Sequence, residues 1–576
     1  MRTATVAAVT SSVGRAGPVP DGSRSVAGRR AGPLIVLSWA VRVWALVAVL
    51  DAARPRFATV RDRPYDDAIQ VVSVTVAVVS AAVALLLAGA LRRGRRRAWR
   101  IVTAVSGLGV LTHLRDGGRA GLVVNALLLV GLLVFGGRFQ ARGGPESRWR
   151  ALRVFVVTAS VSVVGGLILT ARLAPQAGAG AWIGQTLTGL LGATPELPFT
   201  PDRAAGFTGA VLSALGASTL LLTGLAFLAP ARGRRGISDA DSGRLRALLA
   251  AHGAQDSLGY FALRSDKLAV FAPDGSSAVA YRVVGGASLA SGDPLGDPGA
   301  WPGAITAWLA EAADHAWVPG VLGASETAAA AYARAGLDAL EFGDEAVLDL
   351  STWRLAGRSM RAVRQAVNRA RRSGHTVVVD RLGDLDAAAV RQLCDDADRF
   401  RNGDVERGFS MALGRMDPAV DPDVLVVRVV DADRAVVAVL AFVPWGDDGV
   451  SLDLMRRARD AESGTVELAI ATLAEAGPGL GLRRVSLNFA VFRSAFERGS
   501  RIGAGPVSRL WRRTLVMASR WWQIESLYRA NAKYAPLWVP RFLCFASTAD
   551  LPRITLAALE AEAFVQRPRL LRLLGR

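Results

Sequence analysis

The sequence predicts a multi-span α-helical membrane domain followed by an α/β region built from two tandem units, and three observations carry that reading. Apolar runs long enough to cross a bilayer crowd the stretch before residue 230, arginines gather in alternate loops between those runs, and after residue 231 short β-branched runs alternate with helical stretches. The 576 residues are 51% hydrophobic, with a net charge of +20 and a mean hydropathy of +0.30. That combination excludes a simple array of soluble domains and favours anionic lipid, nucleic acid or both as partners of a basic surface.

In chain order, residues 1–32 form a basic tail rich in Arg, Ser and Gly, expected to be disordered. The apolar stretch that follows lacks a small-residue cleavage site, so it reads as an anchor and not a cleaved signal. Residues 33–230 form the transmembrane domain of about six helices, at 33–50, 68–90, 101–115, 120–136, 153–172 and 205–229. Arg92, Arg93, Arg95, Arg96, Arg97 and Arg100 lie between the second and third spans. Arg138, Arg142, Arg148, Arg150 and Arg153 lie between the fourth and fifth, and Arg232, Arg234 and Arg235 follow the sixth. Positive charge stays on the cytoplasmic side, which predicts a multi-pass plasma-membrane protein with its N-terminus and C-terminal region cytoplasmic. Arg42, His113 and Asn125 are the polar residues in or beside the spans. They leave a transport pathway open beside the plainer reading of an anchor.

Residues 231–255 read as a basic linker, 256–373 as the first α/β unit with an Arg-rich connecting helix, and 374–576 as the second. The first unit predicts strands at 260–264, 267–272, 278–290, 317–323 and 345–350, with helices at 302–316 and 326–335. The second predicts strands at 375–380, 424–431, 434–444, 449–455, 483–489 and 541–547, with helices at 465–476 and 507–531. The repeated order suggests duplication. On the connecting helix, Arg361, Arg364, Asn368 and Arg372 share nearly one face, suited to phosphates of a lipid surface or a tRNA backbone, or simply to solvent.

Two lysines stand among 67 arginines, and Lys533 lies in the densest cluster of aromatic, ionisable and proline residues in the chain. An ammonium does chemistry that a guanidinium cannot, since burial deprotonates it far more readily. Asp453 lies on a strand that reads apolar on both sides, Arg456 and Arg457 follow it, and Glu467 opens the next helix. A carboxylate placed there is costly without partners: either Arg456 pairs with Asp453 structurally, or Asp453 and Glu467 face a cleft at the strand end. Cys394 and Cys544 stand apart and the four histidines are scattered, so neither a disulfide framework nor a metal site is expected. No nucleophile-elbow context for serine chemistry appears.

The runs Ser451-Leu-Asp-Leu-Met-Arg-Arg457, Ser486-Leu-Asn-Phe-Ala-Val-Phe-Arg493, Phe496-Glu-Arg-Gly499, Gly503-Ala-Gly-Pro506, Ser519-Arg-Trp-Trp-Gln-Ile-Glu-Ser-Leu-Tyr528, Asn531-Ala-Lys533 and Trp538-Val-Pro-Arg-Phe542 resemble the lysylphosphatidylglycerol synthases. The likeness is to the actinobacterial type and to the catalytic half of the multiple peptide resistance factor. It implies two tandem acetyltransferase-like (GNAT-like) domains, the second catalytic. The implied reaction moves an aminoacyl group, usually lysyl, from aminoacyl-tRNA to phosphatidylglycerol, giving a cationic lipid that lowers sensitivity to cationic peptides, with no metal or other cofactor. Asp453, Arg456, Glu467 and Lys533 become catalytic candidates. Asn488, Arg493, Glu525, Asn531 and Arg541 become substrate-binding candidates, and Arg361, Arg364 and Arg372 candidates for tRNA or lipid phosphate. The actinobacterial type often carries a fused synthetase; here a separate aminoacyl-tRNA synthetase is expected to supply the donor, and a homo-oligomer is compatible with these partners. A lipid flippase, or a relative using another lipid or cell-wall acceptor, is the alternative.

Overall fold

The computed structural model describes residues 36–43, 83–116, 119–139, 141, 146–193, 197, 199, 204–228, 236–401, 408–491 and 529–565. Residues 36–43 are helical, and the N-terminal part of the chain continues with α1 (Val83–Arg92), α2 (Arg96–Asp116), α3 (Arg119–Val134), α4 (Glu146–Leu173), α5 (Ala179–Leu190) and α6 (Ala204–Phe227). Among the described residues two helices, Ser147–Leu173 and Ala205–Phe227, are long and apolar enough to cross a membrane. Most of the first two expected spans lies outside the described residues. The third, 101–115, is the middle of a longer helix that begins at Arg96 and takes in Arg97 and Arg100, residues expected in a loop. Helix α5 was not foreseen, because its 12 residues are too short to register as a span.

Small residues let these helices approach. A Cβ on Gly216 of α6 would lie 1.9 Å from the Leu190 carbonyl oxygen at the end of α5, and Ser162 and Thr219 hydrogen-bond at 3.0 Å between α4 and α6. Leu108, Leu111, Val161 and Ile168 point outward, each more than half exposed.

After residue 236 the chain builds one twelve-stranded sheet. Its strands are β1 (Leu268–Phe271), β2 (Ser277–Val284), β3 (Ala287–Ser291), β4 (Leu295–Gly296), β5 (Val318–Ala324), β6 (Asp338–Asp349), β7 (Thr376–Arg381), β8 (Leu425–Val430), β9 (Val436–Trp445), β10 (Gly449–Arg457), β11 (Arg484–Val491) and β12 (Leu537–Phe545). The order is β1-β2-β3-β5-β12-β6-β11-β10-β9-β8-β7, with β4 beside β2. Each half repeats antiparallel strands leading into one parallel pair, β3 with β5 and β10 with β11. The halves are interlocked: the late strand β12 inserts between β5 and β6, and β6 pairs with β11.

Helices α7 (Asp239–His252), α8 (Trp301–Asp314), α9 (Glu326–Arg334), α10 (Arg361–Arg372), α11 (Ala387–Arg399), α12 (Thr465–Ala476) and α13 (Leu551–Ala561) cover the sheet. On one face Val363 and Val367 of α10 and Ile470 and Leu473 of α12 bury against Leu440, Phe442, Val450 and Leu452. On the other, Leu393 and Ala397 of α11 and Leu413 join Val439 and Ala441. The alternation along β9 follows the two-residue period of a strand buried on both sides.

Several expectations need correction. The strand expected at 260–264 is a 3₁₀ turn, Gly259–Leu263, whose apolar side chains bury together. The strand expected over 278–290 is a hairpin, folded where Gly285 and Gly286 adopt φ of 58° and 79°. Part of the expected 231–255 linker is α7, capped by the Ser238 hydroxyl accepting from the Asp241 amide. Helix α11, unforeseen, is capped by Asp386, whose carboxylate accepts from the amides of Ala388 and Ala389.

Candidate functional site

The parallel pair β10–β11 stays in register for three residue pairs, ending at Ser451 and Ser486, and then opens. Both strands bulge there, β10 between Leu452 and Leu454 and β11 between Ser486 and Phe489. Asn488 sits in the β11 bulge at φ 69°, and its side-chain amide donates across the gap to the Leu452 carbonyl at 2.7 Å. The Asn488 side-chain oxygen Oδ1 is buried with no hydrogen-bond partner among the described residues, an acceptor open to a ligand. Asp453 occupies the β10 bulge and accepts from the Leu413 amide at 2.6 Å.

On the α12 side of the gap, Asn531 donates to the Leu487 carbonyl at 3.2 Å, which places Lys533 beside the opening. The Lys533 ammonium donates to Glu467 at 2.6 Å, with the two side chains 27% and 20% exposed. Glu467 lies in the first turn of α12, where unpaired amides favour a carboxylate. The helix can start there because Gly464 takes φ 111° against α10: a Cβ at that position would lie 2.5 Å from the Ala366 carbonyl oxygen. Asp453, Glu467, Asn488, Asn531 and Lys533 thus lie around the end of the pair, where β10 and β11 part. Asp453 leaves the sheet on the Leu413 face and Glu467 on the α12 face, so the two carboxylates expected in a common cleft flank the gap from opposite sides.

Other candidates fall elsewhere. Arg541, expected to bind substrate, is 3% exposed. Its five N–H donors are instead committed to Glu345, Asp256, Ser257 and the Gly323 carbonyl, leaving none for an anion. The Glu345 carboxylate also accepts from Ser257 and Ser486, tying this network under the parallel pair. Arg456, expected to orient Asp453, donates to the Ala397 carbonyl at 2.8 Å and to Asp398 at 3.2 Å, drawn by the C-terminal end of α11. Arg361 and Arg372 are exposed on α10, while Arg364 folds back onto the carbonyls of Leu355 and Gly357. Arg493 and Glu525 lie outside the described residues.

Sequence reasoning missed Lys267 and Asp293. Lys267 is fully buried, donates to the Phe261 carbonyl at 2.9 Å and to Ser291 at 2.5 Å, and lies 4.7 Å over the Phe409 ring. Burial pushes its amine down to about 7. Being the second of two lysines was the available signal. Asp293 stands two residues beyond Ser291 of β3, as Asp453 stands two beyond Ser451 of β10. There its carboxylate accepts from the amide and hydroxyl of Ser325 at 2.7 and 2.6 Å. Burial, then the neighbouring Asp256, pushes it up to about 7. Among the described residues no group of three or more His, Cys, Asp or Glu side chains could hold a metal ion.

A family model described as phosphatidylglycerol lysyltransferase, C-terminal, matches residues 246–545. The chain is 45% identical over 499 residues to the lysylphosphatidylglycerol biosynthesis bifunctional protein LysX of Rhodococcus jostii, covering 85% of this chain and 45% of that protein. It is 43% identical over 499 residues to the protein of the same name from Mycobacterium marinum, covering 84% and 45%. The chain thus spans about 45% of the length of these curated relatives. Among solved structures, L-PGS from Bacillus licheniformis aligns at 19% identity and TM-score 0.46, covering 56% of this chain and 97% of that one. The C-terminal domain of a putative lysylphosphatidylglycerol synthetase from Agrobacterium fabrum aligns at 23% identity and TM-score 0.46, covering 56% and 96%.

Proposed function

Because the chain belongs to the family described as phosphatidylglycerol lysyltransferase, C-terminal, we propose that it is a membrane-bound aminoacyltransferase that moves a lysyl group from aminoacyl-tRNA to phosphatidylglycerol. The single observation that carries the site is the opening between β10 and β11, lined by Asp453, the unsatisfied Asn488 oxygen and the Lys533–Glu467 pair.

The donor is an activated ester, so the protein's task is to position, to move one proton and to steady developing charge. A glycerol hydroxyl of phosphatidylglycerol attacks the ester carbonyl and the new ester bond forms. The bond to the terminal ribose oxygen of the tRNA breaks, and the proton passes through Asp453 from the attacking hydroxyl to the departing ribose oxygen. In this reading Lys533 steadies the oxyanion from the other side of the gap. Glu467 holds Lys533, and the Asn488 oxygen accepts from the aminoacyl ammonium. Exposed Arg361 and Arg372 of α10 offer phosphate contacts to the tRNA backbone.

We further propose several membrane spans, both termini cytoplasmic, a first unit at 256–373 and a second, catalytic unit at 374–576, and a product that weakens attraction for cationic peptides. Two candidate spans and the arginine-bearing turn beside α13 support that orientation. Expression in a host lacking aminolipids, followed by lipid extraction and mass spectrometry, tests the reading. A new lipid heavier than phosphatidylglycerol by one lysyl group is expected; an unchanged lipid profile with the protein present in the membrane contradicts it.

A further inference from the structure

Among the described residues, Arg93 and Arg95, in the turn between α1 and α2, form no ion pair with a carboxylate. Arg95 is 7% exposed; one of its terminal nitrogens donates to the Leu228 carbonyl, and the other is buried with no partner among the described residues. The Nε of Arg93 is likewise buried and unpartnered. Arg553, at the start of α13, donates to the Gly285 carbonyl at 3.1 and 2.7 Å and adds a third positive charge to the group. Burial first, and then the neighbouring arginines, hold Arg93 down to about 10 and Arg95 down to about 9, while Asp550 offsets only part of the repulsion at Arg93. The turn is pinned, since the Ala141 amide donates to the Gly94 carbonyl at 3.2 Å and the Arg96 amide to the Ala141 carbonyl at 3.3 Å. A fixed cluster of buried like charges with unmet donors is costly unless an anion completes it.

We propose that Arg93, Arg95 and Arg553 form a binding site for the phosphate of an anionic phospholipid headgroup, separate from the opening between β10 and β11. A lipid fits better than RNA because the same helical pair exposes Leu85, Val105 and Leu108, each about half exposed or more, as a surface for acyl chains. Guanidinium donors suit a phosphate's geometry, and the unpartnered Arg95 nitrogen is buried from solvent. The bound lipid would tie the membrane helices to α13, and through Ile554 and Ala557 to the core beneath β3 and β5.

The test uses the full chain, purified in detergent and stripped of lipid, with phosphatidic acid as probe. This lipid carries the phosphate but no acceptor glycerol hydroxyl, so failure here is distinguishable from failure of the transfer reading. Binding is followed by thermal stabilisation and by native mass spectrometry against phosphatidylcholine, inorganic phosphate and tRNA. Phosphatidic acid should stabilise the wild-type chain, and affinity should weaken by about tenfold or more in Arg95→Gln, as loss of one charge-assisted hydrogen bond requires. Arg553→Gln, outside the membrane half, should weaken it in the same direction, and Asp453→Asn should leave it unchanged. Equal stabilisation by inorganic phosphate or by tRNA alone, or undiminished lipid affinity in folded Arg95→Gln and Arg553→Gln, would overturn the site.

Discussion

Lys533 and Glu467, 66 residues apart in sequence, meet at 2.6 Å at the N-terminal turn of α12, beside the gap where β10 and β11 part. The pair is partly solvated, so its worth to folding is small, about 0–1 kcal/mol. Its value lies in holding an ammonium at a fixed point next to the opening.

That sets the first prediction. Lys533→Ala should leave the thermal midpoint nearly unchanged while aminoacyl transfer falls by about 100-fold or more, the scale of losing one oxyanion donor. Lys533→Arg should not restore the rate, because a planar guanidinium cannot take the place of a compact ammonium. Parallel rate and unfolding measurements check this; a loss of rate tracking a loss of folded protein would point to a merely structural pair.

Arg541 behaves oppositely. With Asp256 and Glu345 both leaning on it in the interior, Arg541→Met would strand two buried carboxylates and cost about 3–5 kcal/mol. Chemical unfolding of the variant measures this, and a loss below about 1 kcal/mol would show that the network is not integral to the core.

Stability should depend on pH in two opposed windows. The folded Lys267 amine sits at about 7 against an ordinary 10.5, so between those values the unfolded chain holds more protons and stability rises with pH, the loss on acidification being complete once pH falls below 7. The folded Asp293 carboxyl sits at about 7 against 3.8. Between 3.8 and 7 the native state holds more protons, and stability falls as pH rises. Thermal midpoints across pH should show the upper slope flattened in Lys267→Met and the lower one in Asp293→Asn.

Gly464 offers a backbone test. At φ 111°, with the Ala366 carbonyl oxygen 2.5 Å from where a methyl group would sit, Gly464→Ala should cost about 1–3 kcal/mol and displace the turn carrying Glu467. Gly479, with open space around it, serves as the control: Gly479→Ala should change stability little. Circular dichroism melts of the two variants give the comparison.

How much of this was legible depended on how local the signal was. Helix α12 is read correctly at 465–476 because its apolar spacing is strong over three turns. The hairpin at Gly285-Gly286 was lost inside an apolar run, and the 3₁₀ turn at Gly259–Leu263 looks like a strand because both simply bury apolar side chains. At the site, Asp453, Glu467 and Lys533 stood out singly as costly or rare residues, but nothing local said that Lys533 would choose Glu467 or that Asp453 would leave by the other face. The Arg541 network draws on Asp256, Ser257, Glu345 and Arg541, brought together only when β12 inserts beside β6. No spacing rule reaches across 285 residues.

The most direct test incubates purified chain with phosphatidylglycerol vesicles and radiolabelled lysyl-tRNA, and follows label into chloroform-soluble lipid with and without prior RNase. Wild-type protein should give RNase-sensitive lipid label, with Asp453→Asn and Lys533→Ala near background although folded. Lipid label that survives RNase treatment of the donor, or both variants transferring at the wild-type rate, would contradict the assignment of the β10–β11 opening as the transfer site.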